Sequence, residues 1–399
     1  MVRTGNIGLV KKMNKHIVLN IIRENENISR AEIAKITGLN KATVSALVDE
    51  LIEEHFVSES GIGVSTGGRR PLMLRFNEEA GSLIGIELGV NYIYAILTNL
   101  DAAIIWEKTC FFNPIEKQET IIEKIISIIN EAIHHAPNSP YGVMGIGIGV
   151  PGIVNKEEGL VVFAPNLHWD HVSLAAVLQK QWPDYPIIIE NEAKLAALGE
   201  KWFGAGKDFT NLVYVSAGIG IGSGIIIHNQ LYRGIDGIAG EVGHHVIDIH
   251  GIQCSCGNYG CWEMYASEKY IKRRLEQENK HSLLKDFSIE KICLLAESGD
   301  RQMAQILEEV GRYLGIGLLN IIYAYNPEAV IIGNTIGKAG KWVLEPARDE
   351  VQKRLLVKDG NFPFIMQSQL LEKSCAIGAV ASILEKIVIP PEVEAISQQ

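Results

Sequence analysis

The stretch CSCGNYGCWE, residues 254–263, places three of the chain's six cysteines within eight residues. The spacing C-x-C-x4-C, with a histidine upstream at position 244, 245 or 250, is that of a tetrahedral Cys3His zinc site. Four protein ligands would leave no open coordination position, so the predicted zinc is structural. Gly257 and Gly260 would let the chain bend around the ion. The alternative is a set of ordinary core cysteines.

Two glutamates flank this stretch. Glu241 precedes His244 by three residues, and Glu263 follows Cys261 by two. A metal that joins the two segments would hold both carboxylates at one place, where they can accept hydrogen bonds from sugar hydroxyl groups. Taken alone, either glutamate would be interpreted as a surface residue.

Further upstream, YPIIIENEAKLAALGEKWFG, residues 185–204, indicates a strand that runs directly into a helix. Asn191 and Glu192 fall at the strand end, where α/β proteins bind ligands. The helix N-terminus favours an ionised carboxylate, and an amide beside a carboxylate suits sugar hydroxyls. The alternative is a helix N-cap followed by an exposed glutamate.

Apolar strands alternate with helical segments over residues 83–399, which predicts α/β layers. Gly-terminated strands recur in both halves, as GIELGV and SAGIGIG, and indicate a duplicated fold with a cleft between two lobes. We place lobe one at about 83–192 plus a C-terminal helix near 375–388, and lobe two at about 193–374. Residues 76–82 are the predicted linker to an N-terminal domain, residues 1–75.

Charge is unevenly distributed along the chain. Residues 1–75 contain 11 Lys or Arg against 8 Asp or Glu, whereas the whole chain has a net charge of −10. An acidic body repels polyanions, so nucleic-acid contacts are expected at the N-terminal segment.

The segment ISRAEIAKITGLNKATVSALVDELIEEHFV, residues 28–57, predicts two helices joined by a tight turn, a helix-turn-helix. Ser29 and Glu32 fit a capping box, Gly38 fits the turn, and Asn40 fits the cap of the second helix. The start of that helix would enter the major groove. The DNA-binding candidates there are Asn40, Lys41, Ala42, Thr43 and Ser45. The alternative is a small helical bundle without a DNA role.

The segment VSESGIGVSTGGRRPLMLRFN, residues 57–77, has two strand-like pieces around a glycine-rich loop, a pattern typical of a wing. Arg69 and Arg70 would suit a narrow minor groove. The alternative is a solvated linker.

No apolar run of about 18 residues and no signal peptide are evident. We therefore expect a cytoplasmic protein that has no membrane contact and whose cysteines are reduced.

The motif E-x-G-H at residues 241–244, followed by CSCGNYGCWE, resembles the signature of the ROK family of repressors and sugar kinases. The blocks GIGVPGIV, APNLHW, IENEA and GIGIGSG stand where that family's blocks lie. With the helix-turn-helix, the resemblance covers nearly the whole chain and is greatest to the family's xylose-responsive repressors of Gram-positive bacteria. It implies an α/β fold, with a winged helix-turn-helix followed by a two-lobed actin-like body.

The resemblance also implies roles for individual residues. His244 would bind zinc and also touch the sugar, and the other zinc ligands would be Cys254, Cys256 and Cys261. The implied sugar-binding residues are Asn191, Glu192, Glu241, His244, Glu263, Gly152 and Asn166.

Two departures from the family's kinases argue against catalysis. Glu192 stands where those enzymes have a general-base aspartate, and its extra methylene moves the oxygens by about 1 Å, enough to cost about 100-fold in rate. The kinase phosphate loop D-x-G-x-T-K reads ELGVNY here, residues 87–92. We therefore predict neither enzymatic activity nor a nucleotide cofactor. Because xylopyranose lacks the hexose CH2OH, the longer acid could fill that space.

These observations predict a repressor that binds a palindromic operator as a homodimer or higher homo-oligomer and is released by xylose. The resemblance suggests glucose as a competitor. The alternatives are a family repressor that responds to glucose or N-acetylglucosamine, and an ATP-dependent sugar kinase with a DNA-binding appendage.

Overall fold

The N-terminal part of the chain forms a winged-helix unit, defined here as residues 7–76. The computed structural model describes residues 7–62, 70–356 and 362–388. The elements of the unit are α1 (Ile7–Glu24), β1 (Ile28–Ser29), α2 (Arg30–Thr37), α3 (Lys41–Glu53), β2 (Val57–Ile62) and β3 (Leu72–Phe76). The strands form one antiparallel sheet in the order β1-β3-β2, so the predicted wing strands are confirmed as a hairpin.

The caps predicted for the helix-turn-helix are present. Ser29 and Glu32 form the capping box of α2, with the Ser29 amide donating to the Glu32 carboxylate at 2.8 Å. Gly38 ends the helix with φ of 71°, a left-handed conformation that favours glycine. Asn40 accepts a hydrogen bond from the Thr43 amide at 2.8 Å and starts α3. Local sequence therefore determines this part of the fold.

Two lobes follow the winged-helix unit. Lobe one contains β4 (Ser82–Leu88), β5 (Tyr92–Thr98), β6 (Ile104–Phe111), α4 (Gln118–His134), β7 (Val143–Val150), β8 (Ile153–Asn155), β9 (Leu160–Ala164), β10 (Trp169–Val172), α5 (Leu174–Gln179) and β11 (Ile187–Asn191). Next come α6 (Glu192–Phe203), β12 (Leu212–Ala217), β13 (Ile221–Ile227), β14 (Gln230–Tyr232), α7 (Glu263–Ala266), α8 (Glu268–Gln277), α9 (His281–Lys285) and α10 (Ile289–Glu297). The remainder is α11 (Arg301–Tyr325), β15 (Ala329–Gly333), α12 (Asn334–Lys338), α13 (Lys341–Arg354), β16 (Phe364–Gln367) and α14 (Ser374–Val388).

The two lobes repeat one sheet topology. The five-stranded sheet of lobe one has the order β11-β7-β4-β5-β6, and that of lobe two has the order β14-β13-β12-β15-β16. In each sheet an antiparallel three-stranded meander is extended by two parallel strands. The duplication expected from the glycine-terminated strands is therefore present in the topology.

Two helices cross between the lobes. Helix α6 packs against β12 and β13 of lobe two, whereas α14 packs against β4 and β7 of lobe one, and the two helices pack on each other. At the crossing, a Cβ on Gly378 would overlap the carbonyl oxygen of Leu195. The Glu200 side chain of α6 is fully buried and accepts hydrogen bonds from the Leu370 amide at 3.0 Å and the Ser368 hydroxyl at 2.5 Å. These contacts hold α6 against the start of α14.

The segment 76–82, predicted as a linker, is folded against lobe one. Phe76 ends β3, a 3-10 turn spans Glu78–Ala80, and Ser82 already begins β4. Ala80 is buried in a core that also contains residues of α1, β4 and α14. An apolar side chain therefore anchors this segment, and the winged-helix unit is not on an open tether. Among the described residues, no helix combines the length and apolar character needed to cross a membrane.

Candidate metal centre, adjoining pocket and nucleic-acid interface

Four side chains converge at the start of the cysteine-rich loop. The ligand atoms of His244, Cys254, Cys256 and Cys261 all lie within 4.8 Å of one another. The Cys254 sulfur lies 3.8 Å from His244 Nδ1, and the Cys256 and Cys261 sulfurs are 3.6 Å apart. Of the three candidate histidines, His244 joins this cluster, while His245 and His250 are exposed.

The arrangement fits a tetrahedral cation. Zinc–sulfur bonds of about 2.3 Å place two thiolates on one ion about 3.8 Å apart, close to the observed sulfur separation. Gly257 and Gly260 have φ of 93° and 71°, which supply the predicted bends. Burial raises the pKa of Cys261 to about 12, so a cation must displace the thiol proton to bind there. The cluster can therefore hold a metal ion through four protein ligands.

Glu263 lies beside this cluster at the first residue of α7. Its carboxylate is buried and accepts hydrogen bonds from the Cys254 thiol at 3.2 Å and from Lys269 Nζ at 2.6 Å. A Cβ on Gly220 would lie 2.6 Å from the second carboxylate oxygen, so this glycine in the β12–β13 turn leaves the space that Glu263 occupies. The metal loop, residues 254–261, and the β12–β13 turn thus jointly position Glu263.

Glu241 is positioned by the 3-10 turn that carries His244. The turn spans Val242–His244, and the carboxylate directly before it is half-buried. Burial raises the pKa of Glu241, the positive charges of Lys194 and His244 oppose the rise, and the charge of Glu263 adds to it. The two predicted glutamates therefore lie close enough to interact electrostatically.

The Asn191 amide forms the helix cap that the sequence offered as one alternative. Its Oδ1 accepts hydrogen bonds from the Ala193 and Lys194 amides at 3.0 and 3.1 Å, so it caps α6. Its Nδ2 donates to the Gly152 carbonyl and to a Glu192 carboxylate oxygen, both at 2.9 Å. These contacts use two acceptor and two donor positions, the full capacity of the amide. In this conformation Asn191 positions its neighbours, and it must exchange a partner to contact a ligand.

Glu192 is not the exposed glutamate of the alternative interpretation, because its side chain is at most half-exposed and accepts a hydrogen bond from Asn191. Burial is the main cause that raises the pKa of Glu192 to about 8, and the neighbouring charges of Glu241 and Glu87 contribute to the rise. Burial and like charge therefore oppose the favourable end of the helix, the one effect that the sequence indicated. At neutral pH this carboxyl group is largely protonated and can donate as well as accept a hydrogen bond.

Gly152 and Asn166, the other two residues that the resemblance implied for the sugar site, differ in their placement. Gly152 has φ of 110°, and a Cβ there would overlap the Phe163 carbonyl oxygen, so only glycine fits this turn. Asn166 is exposed on the 3-10 turn Pro165–Leu167, which follows β9. The described contacts do not bring its side chain to Glu241 or Glu263.

Sequence reasoning missed Lys194 and the pairing of Glu87. Lys194 is only 2% exposed, and its ammonium group donates to the Gly237 carbonyl oxygen. Glu87 is also buried, and it accepts a hydrogen bond from the Tyr92 hydroxyl at 2.5 Å while burial raises its pKa to about 7. The position of Lys194, at the third residue of a helix that directly follows a strand, was the only signal in the sequence. Its burial depends on a loop distant in sequence, which contains Gly237.

The nucleic-acid candidates lie at the exposed start of α3. Asn40, Lys41 and Ala42 are exposed, and Thr43 and Ser45 are half-buried. On the opposite side of the helix, its apolar residues Val44, Leu47, Val48 and Leu51 are buried. Arg70 is exposed at the base of the wing, and Arg69 lies outside the described residues. The polar helix start is therefore free to approach a DNA groove.

Comparison with known proteins agrees with this architecture. The chain is 43% identical to the xylose repressor of Bacillus subtilis (strain 168) over 378 residues, which cover 94% of this chain and 96% of that protein. A solved ROK family transcriptional regulator, a homologue of the E. coli MLC protein, superimposes with a TM-score of 0.80 at 26% identity and covers 94% of this chain and 96% of its own. A ROK family glucokinase from Streptomyces griseus, solved with glucose and AMPPNP, has a TM-score of 0.67 at 31% identity and covers 75% and 98%.

The family profiles divide the chain as the structure does. A winged helix-turn-helix DNA-binding profile matches residues 15–58, and the ROK profile matches residues 83–386. The second match covers the two lobes with their duplicated sheets, the metal-ligand cluster and most of α14. Because that match extends over more than half of the sequence, the chain belongs to the ROK family.

Proposed function

We propose that this chain is a transcriptional repressor that binds a palindromic operator as a homo-oligomer and releases it when xylose binds between the lobes. The observation that carries the proposal is the 43% identity to a xylose repressor over 94% of the chain, which includes both the winged-helix unit and the lobes. Since such a regulator acts beside the chromosome, we place the protein in the cytoplasm, without membrane contact.

The proposed sugar site is the region around Glu192, Glu241 and Glu263, next to His244. A carboxylate accepts hydrogen bonds only, whereas a protonated carboxyl group both donates and accepts. Because burial raises the pKa of Glu192 and Glu241, the site can offer both kinds of partner to sugar hydroxyls. Asn191 supports these acids from the neighbouring segment, where its Nδ2 donates a hydrogen bond to the Gly152 carbonyl at 2.9 Å. Asn166 would contact a sugar in this site only if the lobes close.

We further propose that the metal is a structural zinc bound by His244, Cys254, Cys256 and Cys261. When bound, zinc would supply a rigid joint between the 3-10 turn that carries Glu241 and the loop that carries Glu263. His244 Nδ1 faces the cysteines, so its Nε2 would be left to donate a hydrogen bond to a sugar.

Purified protein is expected to contain about one zinc ion per chain, and Cys256→Ser is expected to lose it and unfold at a lower temperature. The reason is that three remaining ligands bind zinc much more weakly than four. Elemental analysis and thermal unfolding measure both effects. Cys293→Ser, which alters a half-buried cysteine outside the cluster, should change neither. A zinc-free wild-type protein would contradict the proposal.

Lys41→Ala is expected to weaken operator binding about tenfold and to lower the salt dependence by about one released ion. The exposed lysine is the first residue of α3, where a side chain reaches a phosphate or a guanine edge. Fluorescence anisotropy at several salt concentrations measures affinity and slope. Lys180→Ala, an exposed lysine of lobe one, is the control. An unchanged affinity and slope in Lys41→Ala would exclude the assigned groove contact.

A regulatory rather than catalytic role is supported by two departures from the family's kinases, one at Glu192 and one in the ELGVNY loop, residues 87–92. Glu192 has one methylene more than the general-base aspartate of the family's kinases, and one of its carboxylate oxygens already accepts a hydrogen bond from Asn191 at 2.9 Å. The ELGVNY loop lacks the threonine and the lysine of the kinase loop D-x-G-x-T-K, and its Tyr92 hydroxyl instead donates a hydrogen bond to Glu87 at 2.5 Å. We therefore propose no nucleotide cofactor and no kinase activity.

Calorimetric titration with xylose, glucose and N-acetylglucosamine tests the sugar assignment. The proposal expects the tightest binding for xylose and competition by glucose at higher concentration. Tightest binding by either hexose would instead support a repressor of the same family with a different effector. Sugar-dependent ADP formation from ATP and magnesium would support the kinase alternative.

A further inference from the structure

Three helices from different parts of the chain meet at Trp202. The Arg23 guanidinium, in the last turn of α1, lies over the Trp202 ring at 4.3 Å from the ring centroid. The indole nitrogen of Trp202 donates to Glu385 of α14 at 3.1 Å. The winged-helix unit, the helix packed on lobe two and the helix packed on lobe one therefore touch at one residue.

Helix α6 links this contact to the proposed sugar site. Its first residue is Glu192, capped by Asn191, and Trp202 follows ten residues later near its other end. At about 1.5 Å per residue, the two ends are roughly 15 Å apart along a rigid helix. Because α6 packs on β12 and β13, we expect it to follow the sheet of lobe two.

The winged-helix unit, in contrast, is mounted on lobe one. Phe56 stacks on Tyr141 with ring centroids 5.0 Å apart, and the Tyr141 hydroxyl donates to the Glu54 carbonyl at 2.8 Å. Asn20 of α1 donates to the Val388 carbonyl at the end of α14 at 3.4 Å. A movement of lobe two relative to lobe one would thus shift Trp202 relative to Arg23 of the winged-helix unit.

The Arg23–Trp202 contact is suited to being made and broken. Within the described part of the chain, the Arg23 Nε is buried and has no hydrogen-bond partner. Burial lowers the Arg23 pKa, while the charges of Glu24 and Asp101 oppose this shift. A guanidinium that lies on a ring face forms no directional hydrogen bond with the ring. The ring can therefore slide beneath it at a modest cost in free energy.

We propose that Trp202 and Arg23 are positioning residues that transmit sugar occupancy to the DNA-binding helices. Sugar bound at the start of α6 shifts that helix against α14, moves the Trp202 ring under Arg23, and reorients α1 together with the packed α2 and α3. The inference rests on the proposed function. This role differs from that of a merely stabilising contact, because its loss changes the coupling between xylose and operator binding and not only the stability of the fold.

The test compares wild type, Trp202→Ala, Trp202→Phe, Arg23→Gln and the double variant Arg23→Gln/Trp202→Ala. Xylose affinity is measured by calorimetry without DNA. Operator affinity is measured with and without saturating xylose, on a duplex that the sugar-free protein selects from random sequences. The ratio of the two operator dissociation constants is the coupling factor. Trp106→Ala, which removes an indole stacked on His135 in lobe one, is the matched control.

The coupling factor is expected to fall at least about fivefold in Trp202→Ala and Arg23→Gln, the lower end of usual allosteric factors. The double variant should lose no more than either single variant, because both changes break one contact. Xylose affinity should stay within about twofold of wild type, and Trp202→Phe should retain most of the coupling. If Trp202→Ala folds poorly, the coupling factor of Arg23→Gln decides the test.

Wild-type coupling in both single variants, alongside normal release by the wild type, would overturn this inference alone. An operator affinity that ignores xylose in the wild type would overturn the proposed function and this inference with it. Equal losses of xylose affinity and coupling in Trp202→Ala would show that the residue acts only on the pocket.

Discussion

Replacing Glu241 with alanine is expected to weaken xylose binding about 100-fold while sugar-free operator binding stays unchanged. Loss of a charged or protonated carboxyl partner costs roughly 1.5–3 kcal/mol per sugar hydroxyl, and one such group can contact two. Glu241 is the better choice than Glu263, because Glu263 also bonds Cys254 and Lys269 and its removal would disturb the metal loop. Calorimetry without DNA measures the sugar affinity.

The result is informative only if the metal loop survives the change. Zinc content and thermal midpoint of the Glu241→Ala variant should therefore equal those of the wild type. Glu297→Ala, an exposed acid on α10 of lobe two, is the matched control and should bind xylose normally. Wild-type xylose affinity in Glu241→Ala would remove this residue from the sugar site and would place the ligand elsewhere.

Replacing Gly378 with alanine is expected to destabilise the body by about 3 kcal/mol, although alanine is the better helix former by about 1 kcal/mol. A Cβ at this position would overlap the backbone carbonyl of Leu195, which belongs to α6 and has no rotamer through which to retreat. The two helices must separate, and the hydrogen bonds to Glu200 would be strained. The change should also weaken xylose binding, because α6 carries Glu192.

Thermal and urea unfolding measure the Gly378→Ala effect. Lys386→Ala, an exposed position on the same helix, should stay within about 0.5 kcal/mol of wild type. A Gly378→Ala protein as stable as the wild type would mean that the α6–α14 crossing is looser than described. In that case α6 would be a poor rigid link between the sugar site and the winged-helix unit.

Features set by neighbouring residues were predictable from the sequence. The capping box of Ser29 and Glu32, the left-handed Gly38 and the Asn40 cap depend on contacts within a few positions. The metal-ligand cluster was predictable for a similar reason, since three cysteines within eight residues can hardly avoid one another. The choice of His244 over its neighbours came from the family resemblance.

Features set by burial were not predictable in the same way. A helix N-terminus stabilises the Glu192 carboxylate, but burial raises its pKa, and the charges of Glu241 and Glu87, from segments far away in sequence, add to the rise. Asn191 looked like either a cap or a ligand, and only the position of Gly152 shows that its amide is fully used. Residues 76–82 were predicted as a linker, yet Ala80 is buried against α1 and lobe one.

The central claim is that xylose bound between the lobes controls the affinity of a separate DNA-binding unit. Its most direct test is an anisotropy titration of the selected operator with wild-type protein, with and without saturating xylose, at one fixed salt concentration. The account predicts that xylose weakens operator binding at least about tenfold and that, by linkage, operator weakens xylose binding equally. Identical operator affinity with and without xylose, in protein that binds xylose by calorimetry, would contradict the account.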